Sequence, residues 1–280
     1  MIHLRASQTT FAGLLALALA WPVRLAAHGA DQPLLDALTE EIARAPEADL
    51  HIRRGELHRH HQEWDKAEAD LAAAARLEPR RAVIDLLRAR VQHEAGAPDK
   101  ALAHLTRYLA AAPNDPEGQF LRAEIAASAG QLDVAARHYG EGLRLSAAPR
   151  ADHYLRHAQL LASIDRASAL ATLEAGLARV GPALALIEQA VALDLAAGDT
   201  PSALRRIEVA LKQAPRRERL LGRRGDILAA AGRPTEAAAA YREALAAVAA
   251  LAPALRDTLP MEKLAHDLRQ SLAGLSGGKP

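Results

Sequence analysis

The side chains best equipped for chemistry in this chain are histidines, 12 of 280 residues. His58-Arg59-His60-His61 is the densest run, and on a helix His58 and His61 share a face with His51 two turns earlier. Imidazoles so placed could take a divalent metal ion, but a firm site wants three or four convergent ligands held by an ordered second shell. Local spacing guarantees neither, so His51, His58 and His61 are read as solvated or groove-lining side chains and no metal is assigned. A His-rich metal-binding or carrier protein stays as the alternative function. His153 and His157 are four residues apart, yet no companion Glu completes a metalloprotease pattern. No phosphate-cradling glycine loop and no nucleophile elbow occurs. With no cysteine, disulfides, thiolate nucleophiles and Cys-ligated zinc are excluded. The chemistry is therefore expected to be recognition without catalysis and without a cofactor.

The charge pattern points the same way. Basic and acidic residues number 35 and 34, so no global field favours nucleic acid, and none is expected as a partner. The run Pro215-Arg216-Arg217-Glu218-Arg219, followed by Arg223 and Arg224, is a local basic patch that reads as helix-end cations on a solvated face.

The N-terminus looks like an address rather than part of a fold. Met1 to Thr10 carries Arg5 and no acid, Phe11 to Ala20 is an unbroken apolar run, and Leu25-Ala26-Ala27 offers small residues for cleavage. That run is about half of the ~20 residues needed to span a bilayer, so no stable membrane span is expected after cleavage. Removing residues 1–27 takes away Arg5 and Arg24, leaves 33 basic against 34 acidic residues, and exposes His28 as the new terminus. An N-terminal His can chelate copper through its amine and ring, but that chemistry belongs to sheet-rich scaffolds. The expected destination is the periplasm or the exterior.

The elements that must position these side chains are helical. Half the residues are apolar and only 3% aromatic, with Ala and Leu, both strong helix formers, supplying most of the apolar set. Self-similarity appears at a step of about 34 residues, in units 48–81, 82–115, 116–149, 150–183, 184–217 and 218–251. The unit 218–251 shows it best, with Gly225, Leu228, Gly232, Ala237, Tyr241 and Ala244-Leu245. Gly55, Trp64, Ala67 and Leu71 answer to these in 48–81, where Gln62 replaces the turn glycine. Ala89, Gly96, Ala101 and Leu105 answer in 82–115, and Ala123, Gly130, Ala135 and Tyr139 in 116–149. Unit 150–183 is degenerate: Ala158 and Ala169 fit only if its internal turn is one residue short. Small residues let two helices approach closely. Gly96-Ala97-Pro98, Gly198-Asp199-Thr200-Pro201 and Gly232-Arg233-Pro234 each place a left-handed-capable residue after one helix and a proline at the start of the next. Residues 28–47 hold a lone capping helix over 33–45. Residues 252–280 hold a C-terminal capping helix over 254–275 and a disordered tail.

This pattern resembles the tetratricopeptide repeat over residues 48–251. The resemblance implies an all-α, right-handed superhelical solenoid of antiparallel helix pairs, about six repeats with capping helices, whose first helices line a groove for a partner polypeptide. Carried over position by position, that lining is Ile52, Glu56, Arg59, His60, Leu86, Arg90, His93, Phe120 and Glu124, continuing with Arg156, Gln159, Gln189, Arg223 and Asp226. Family members that clamp a chaperone's terminal carboxylate use paired Lys and Asn where this chain has Ile52, Glu56, Leu86 and Arg90, so that use is not expected. The implied function is a non-catalytic protein-interaction scaffold of the bacterial cell envelope.

Overall fold

The computed structural model describes residues 21–277, and no strand occurs among them. The apolar run of the expected targeting segment lies outside the described residues. The chain divides into two compact units, one ending at Ile125 and one beginning at Ala126.

The first unit contains α1 (Trp21–Arg44), α2 (Ala48–His60), α3 (Trp64–Leu77), α4 (Val83–Glu94), α5 (Pro98–Ala111) and the larger part of α6 (Pro116–Ser128). Helices pair as α2 with α3 and α4 with α5, and α3 also packs on α4. The pairing is close because its crossings carry small residues: Ala67, Ala89 and Ala101 are fully buried. Gly118 lies where a Cβ would meet Leu109 at 2.7 Å and the Tyr108 ring at 3.0 Å. The turn between α2 and α3 keeps its left-handed residue although glycine is missing, with Gln62 at φ 61°. Such a conformation crowds the Cβ of any L-residue.

The second unit contains α7 (Leu132–Leu145), α8 (Ala151–Ala162), α9 (Arg166–Val180), α10 (Leu184–Ala196), α11 (Thr200–Gln213), α12 (Glu218–Ala230), α13 (Pro234–Ala249), α14 (Pro253–Arg256) and α15 (Leu259–Gly277). The pairs are α8 with α9, α10 with α11 and α12 with α13. Ala135, Ala169, Ala203 and Ala237 continue the series of Ala67 and Ala101 at steps of 34, each with no accessible surface. In the α8–α9 pair, Ala158 and Ala169 are fully buried with one residue fewer between them than in the other pairs. Ser163, Ile164 and Asp165 turn there without a positive φ. Asp165 instead accepts from the Ala167 and Ser168 amides and caps α9.

Three expectations at the ends need correction. The N-terminal capping helix is not confined to 33–45: α1 starts at Trp21 and carries Pro33 inside it. Its upstream residues include strong helix formers, and a proline removes only one intrahelical hydrogen bond. The C-terminal cap is not one helix from 254 to 275. The chain breaks at Asp257-Thr258 because Pro260, second residue of α15, lacks the N–H that a continuing helix requires. Leu264, Leu268 and Leu272 pack on the core of α12 and α13, whereas Leu255 and Leu259 stay exposed. Finally, α15 runs to Gly277, through the first residues of the expected disordered tail.

Candidate protein-binding site

In the first unit the first helices of the pairs carry a row of charges. Arg59 of α2 donates through Nε to Glu56 Oε1 at 3.2 Å and through Nη1 to Glu94 Oε1 of α4 at 2.8 Å. Arg90 of α4 lies 3.7 Å from Glu117 of α6. Burial works against the Arg59 cation, but hydrogen bonds to Glu56 and Glu94 outweigh it and raise its pKa above the ordinary value. His60 is exposed beside Arg59, and His93 and Glu124 are partly exposed. This charged row is a surface that can exchange its internal partners for those of a bound polypeptide.

Two expected lining residues do not belong to it. Leu86 packs with Ala89, Leu105 and Leu121 in the core, and Phe120 is 4% exposed. Leu86 is an apolar residue on a helix flanked by α3 and α5, so burial claims it, and the apolar Phe120 is buried on α6. Ile52 is half-buried against two small core clusters. Glu94 and Glu117, which the sequence reading passed over, complete the row. Their signal was present in part, since Glu94 stands four positions after Arg90 and Glu117 three positions before Phe120, each on a first helix.

In the second unit the expected residues lie apart from one another. Arg156 and Gln159 are exposed on α8, Gln189 and Arg223 are partly exposed, and Asp226 accepts a hydrogen bond from the Tyr241 hydroxyl at 2.9 Å. Burial, helped by that bond, pushes the tyrosine up to about 12. Asp226 therefore fixes Tyr241, whose ring covers Gly225 so closely that a Cβ there would overlap it.

The histidines are engaged by carboxylates, and two of them, His51 at 2.8 Å and His58 at 3.8 Å, approach the same one, Asp70. His51 Nδ1 donates to Asp70 at 2.8 Å, and Arg54 donates to both oxygens of the same carboxylate at 2.7 and 2.8 Å. Burial raises Asp70, but Arg54 and His51 outweigh it and hold the carboxyl below its ordinary value. His58 Nδ1 lies 2.6 Å from Glu63, and His61 Nε2 lies 3.2 Å from Asp31 on α1. Among the described residues no three His, Asp or Glu side chains are placed to hold a metal ion. Each of these imidazoles instead faces a carboxylate. The same arrangement recurs at Asp85, which accepts from His104 at 2.8 Å and from Arg107 at 2.8 Å. His157 stacks on Tyr139, and burial pushes its pKa down.

The sequence reading also missed a cleft of about 410 Å³ between α9 and α11, floored by α10. Nothing in the repeat pattern marks it except Gly181-Pro182, which follows the end of α9.

Two family models described as tetratricopeptide repeat match the chain, at residues 59–125 and 193–254. With helix pairs in place at both matches, the family is settled. The chain is a tetratricopeptide repeat protein. Among solved structures, this tetratricopeptide repeat protein is similar to MamA protein (TM-score 0.50, 14% identity, covering 59% of this chain and 90% of that one). It is similar also to a chain of the APC/C hetero-tetramer Cut9-Hcn1 (TM-score 0.51, 12% identity, 89% of this chain and 48% of that one). A tetratricopeptide repeat protein from Parabacteroides merdae gives a TM-score of 0.49 at 17% identity, over 84% of this chain and 91% of that one. At such identities the likeness concerns the fold alone. No curated protein matches the chain in sequence. The fold class is thus an all-α helical solenoid, and the tetratricopeptide repeat is a protein-interaction scaffold that generally carries no catalytic activity. No helix among the described residues is long and apolar enough to cross a membrane.

Proposed function

We propose that the protein is a non-catalytic scaffold of the bacterial cell envelope that holds a partner polypeptide along the first helices of its first unit. The observation that carries this reading is the row formed by Glu56, Arg59, Arg90, Glu94 and Glu117. These side chains pair with one another across α2, α4 and α6 above a core that does not need them. A bound segment with both charges can replace those pairs one for one, with His60, His93 and Glu124 alongside. Such complementarity gives specificity and speed of association more than raw affinity.

The proposed location rests on residues 1–27, whose charged, apolar and small-residue order is that of a cleavable export signal. Cleavage after Ala27 leaves His28 first, which intact-mass measurement of the protein from a periplasmic extract would read directly. Recovery in the cytoplasm with residues 1–27 attached would refute export.

The binding surface is tested by cross-linking in envelope fractions. A defined partner should be captured by the native chain and lost from the combined variant Arg59→Glu, Arg90→Glu, His93→Glu, with helicity unchanged by circular dichroism. Undiminished capture by that folded variant would remove the proposed surface.

A further inference from the structure

The cleft in the second unit has the makings of a separate docking site. Its walls come from second helices of two consecutive pairs: Leu177 of α9 on one side and Val209 of α11 on the other, with Ile187 of α10 as floor. Val209 is 51% exposed, so the rim of the cleft on the α11 side presents an aliphatic side chain. At Pro182 and Ile187 the cleft adjoins a second chamber of about 290 Å³, which continues along Ala214 and Pro215 to Leu220 of α12. Together they make one apolar trough.

Its charges are unevenly disposed. Arg206 is held between Asp194 at 2.6 Å and Glu174 at 2.8 Å, and Arg216 is held by Glu218 at 2.5 Å. Both acids that line the trough, Glu174 and Glu218, are therefore neutralised by their own arginines. Two cations are left over, one in each chamber. Arg205 donates to the Ser202 hydroxyl at 2.8 Å and lies near enough to Asp199 to help hold that carboxyl below its ordinary value, but among the described residues neither it nor Arg219 makes a salt bridge.

We infer that this trough binds an apolar segment of a partner protein flanked by acidic side chains, with Arg205 and Arg219 receiving the acids. Aliphatic walls with a guanidinium group free of salt bridges in each chamber complement that chemistry and repel a basic segment. Val209 and Leu177 supply the apolar contact, and Gln213 at the rim offers an amide to the bound backbone. The site is independent of the charged row in the first unit, since no residue is shared.

The test is fluorescence anisotropy on the full chain with a labelled peptide in which Leu-Phe-Leu is flanked on each side by two Asp or Glu. The control keeps the same apolar centre between lysines. The acidic peptide should bind at least about tenfold more tightly than the basic one, with the gap closing in high salt. Arg205→Glu combined with Arg219→Glu should weaken it by about tenfold or more, and Val209→Asp should weaken both peptides. Arg59→Glu with Arg90→Glu should leave the affinity unchanged, which separates this site from the proposed function. All of these positions are at least partly exposed, so retained helicity is expected and checked by circular dichroism. Equal affinity for the two peptides, no binding, or full affinity in the Arg205→Glu, Arg219→Glu variant would overturn the inference. Dimerisation seen by light scattering and abolished by Val209→Asp would also overturn it, by making a second copy the occupant.

Discussion

The two units solve the same problem, holding a second helix against its first, with different side chains. In the first unit a carboxylate on one helix of a pair is shared by a histidine and an arginine: the buried Asp70 by His51 and Arg54, the half-buried Asp85 by His104 and Arg107. In the second unit a buried carboxylate at another register, Asp194 of α10, takes two arginines, Arg166 of α9 and Arg206 of α11, and no histidine. There two aromatic side chains lie over glycines, Tyr241 on Gly225 and Tyr154 on Gly176, against one such ring, Tyr108 on Gly118, in the first unit. The lesson is that a common repeat geometry can be fixed either by buried charge or by shape, and the two fail under different perturbations.

The largest expected effect follows from Asp70. Asp70→Ala strands His51 and Arg54, whose side chains are only 11% and 20% exposed, and should cost about 3–5 kcal/mol in urea unfolding. Asp194→Ala should cost roughly 1–3 kcal/mol, because Arg166 is 41% exposed and Arg206 keeps Glu174. Equal costs would erase the contrast between the units.

Shape should matter next. Gly225→Ala puts a methyl into the Tyr241 ring, which cannot swing away without giving up its bond to Asp226. The expected loss is about 1–3 kcal/mol, read as a lowered urea midpoint. An unchanged midpoint would mean that the ring is not held as described.

Acidity provides the finest distinction. Asp70 and Asp85 lie below their ordinary value of 3.8, so the stability they contribute is complete above that pH and is lost as the pH falls through their lower folded values. His157 is also held low, but its unfolded form takes up a proton first, near 6.5. The second unit should therefore weaken as the pH drops from 6.5 toward the folded value. Hydrogen exchange, compared as protection factors at pH 7 and 5.5, should show a modest loosening of α8 that Asp70 and Asp85 do not produce around α3 and α4. No change at α8 would show that His157 is not desolvated.

Much of this architecture was legible in the residues themselves. Ala67, Ala101, Ala135, Ala169, Ala203 and Ala237 recur at 34-residue steps, and all are fully buried, because helix crossings tolerate little beyond a methyl group. Gln62 could be read as standing in for a glycine, and it adopts the left-handed turn. What stayed hidden depends on distances between helices. Asp70 meets partners 16 and 19 positions away, and Arg59 meets Glu94 at 35, pairings that follow from crossing geometry and from no local pattern. Phe120 and Leu86 were expected in a groove because their register matched the family's lining. Whether such a position opens outward or inward is decided by the neighbouring helix, which for Leu86 brings Leu105 and Leu121 against it. The trough beside Val209 was hidden for the same reason, since an exposed apolar residue on a helix has no signature until its neighbours are placed.

The account rests on the first unit presenting a charged row to a bound polypeptide. Hydrogen exchange of the full chain, alone and with the partner captured from the envelope, tests this most directly. Protection should rise over residues 52–60 of α2 and 86–94 of α4 and stay level over the buried faces of α3 and α5. Protection confined to other helices, or none at all, would contradict it.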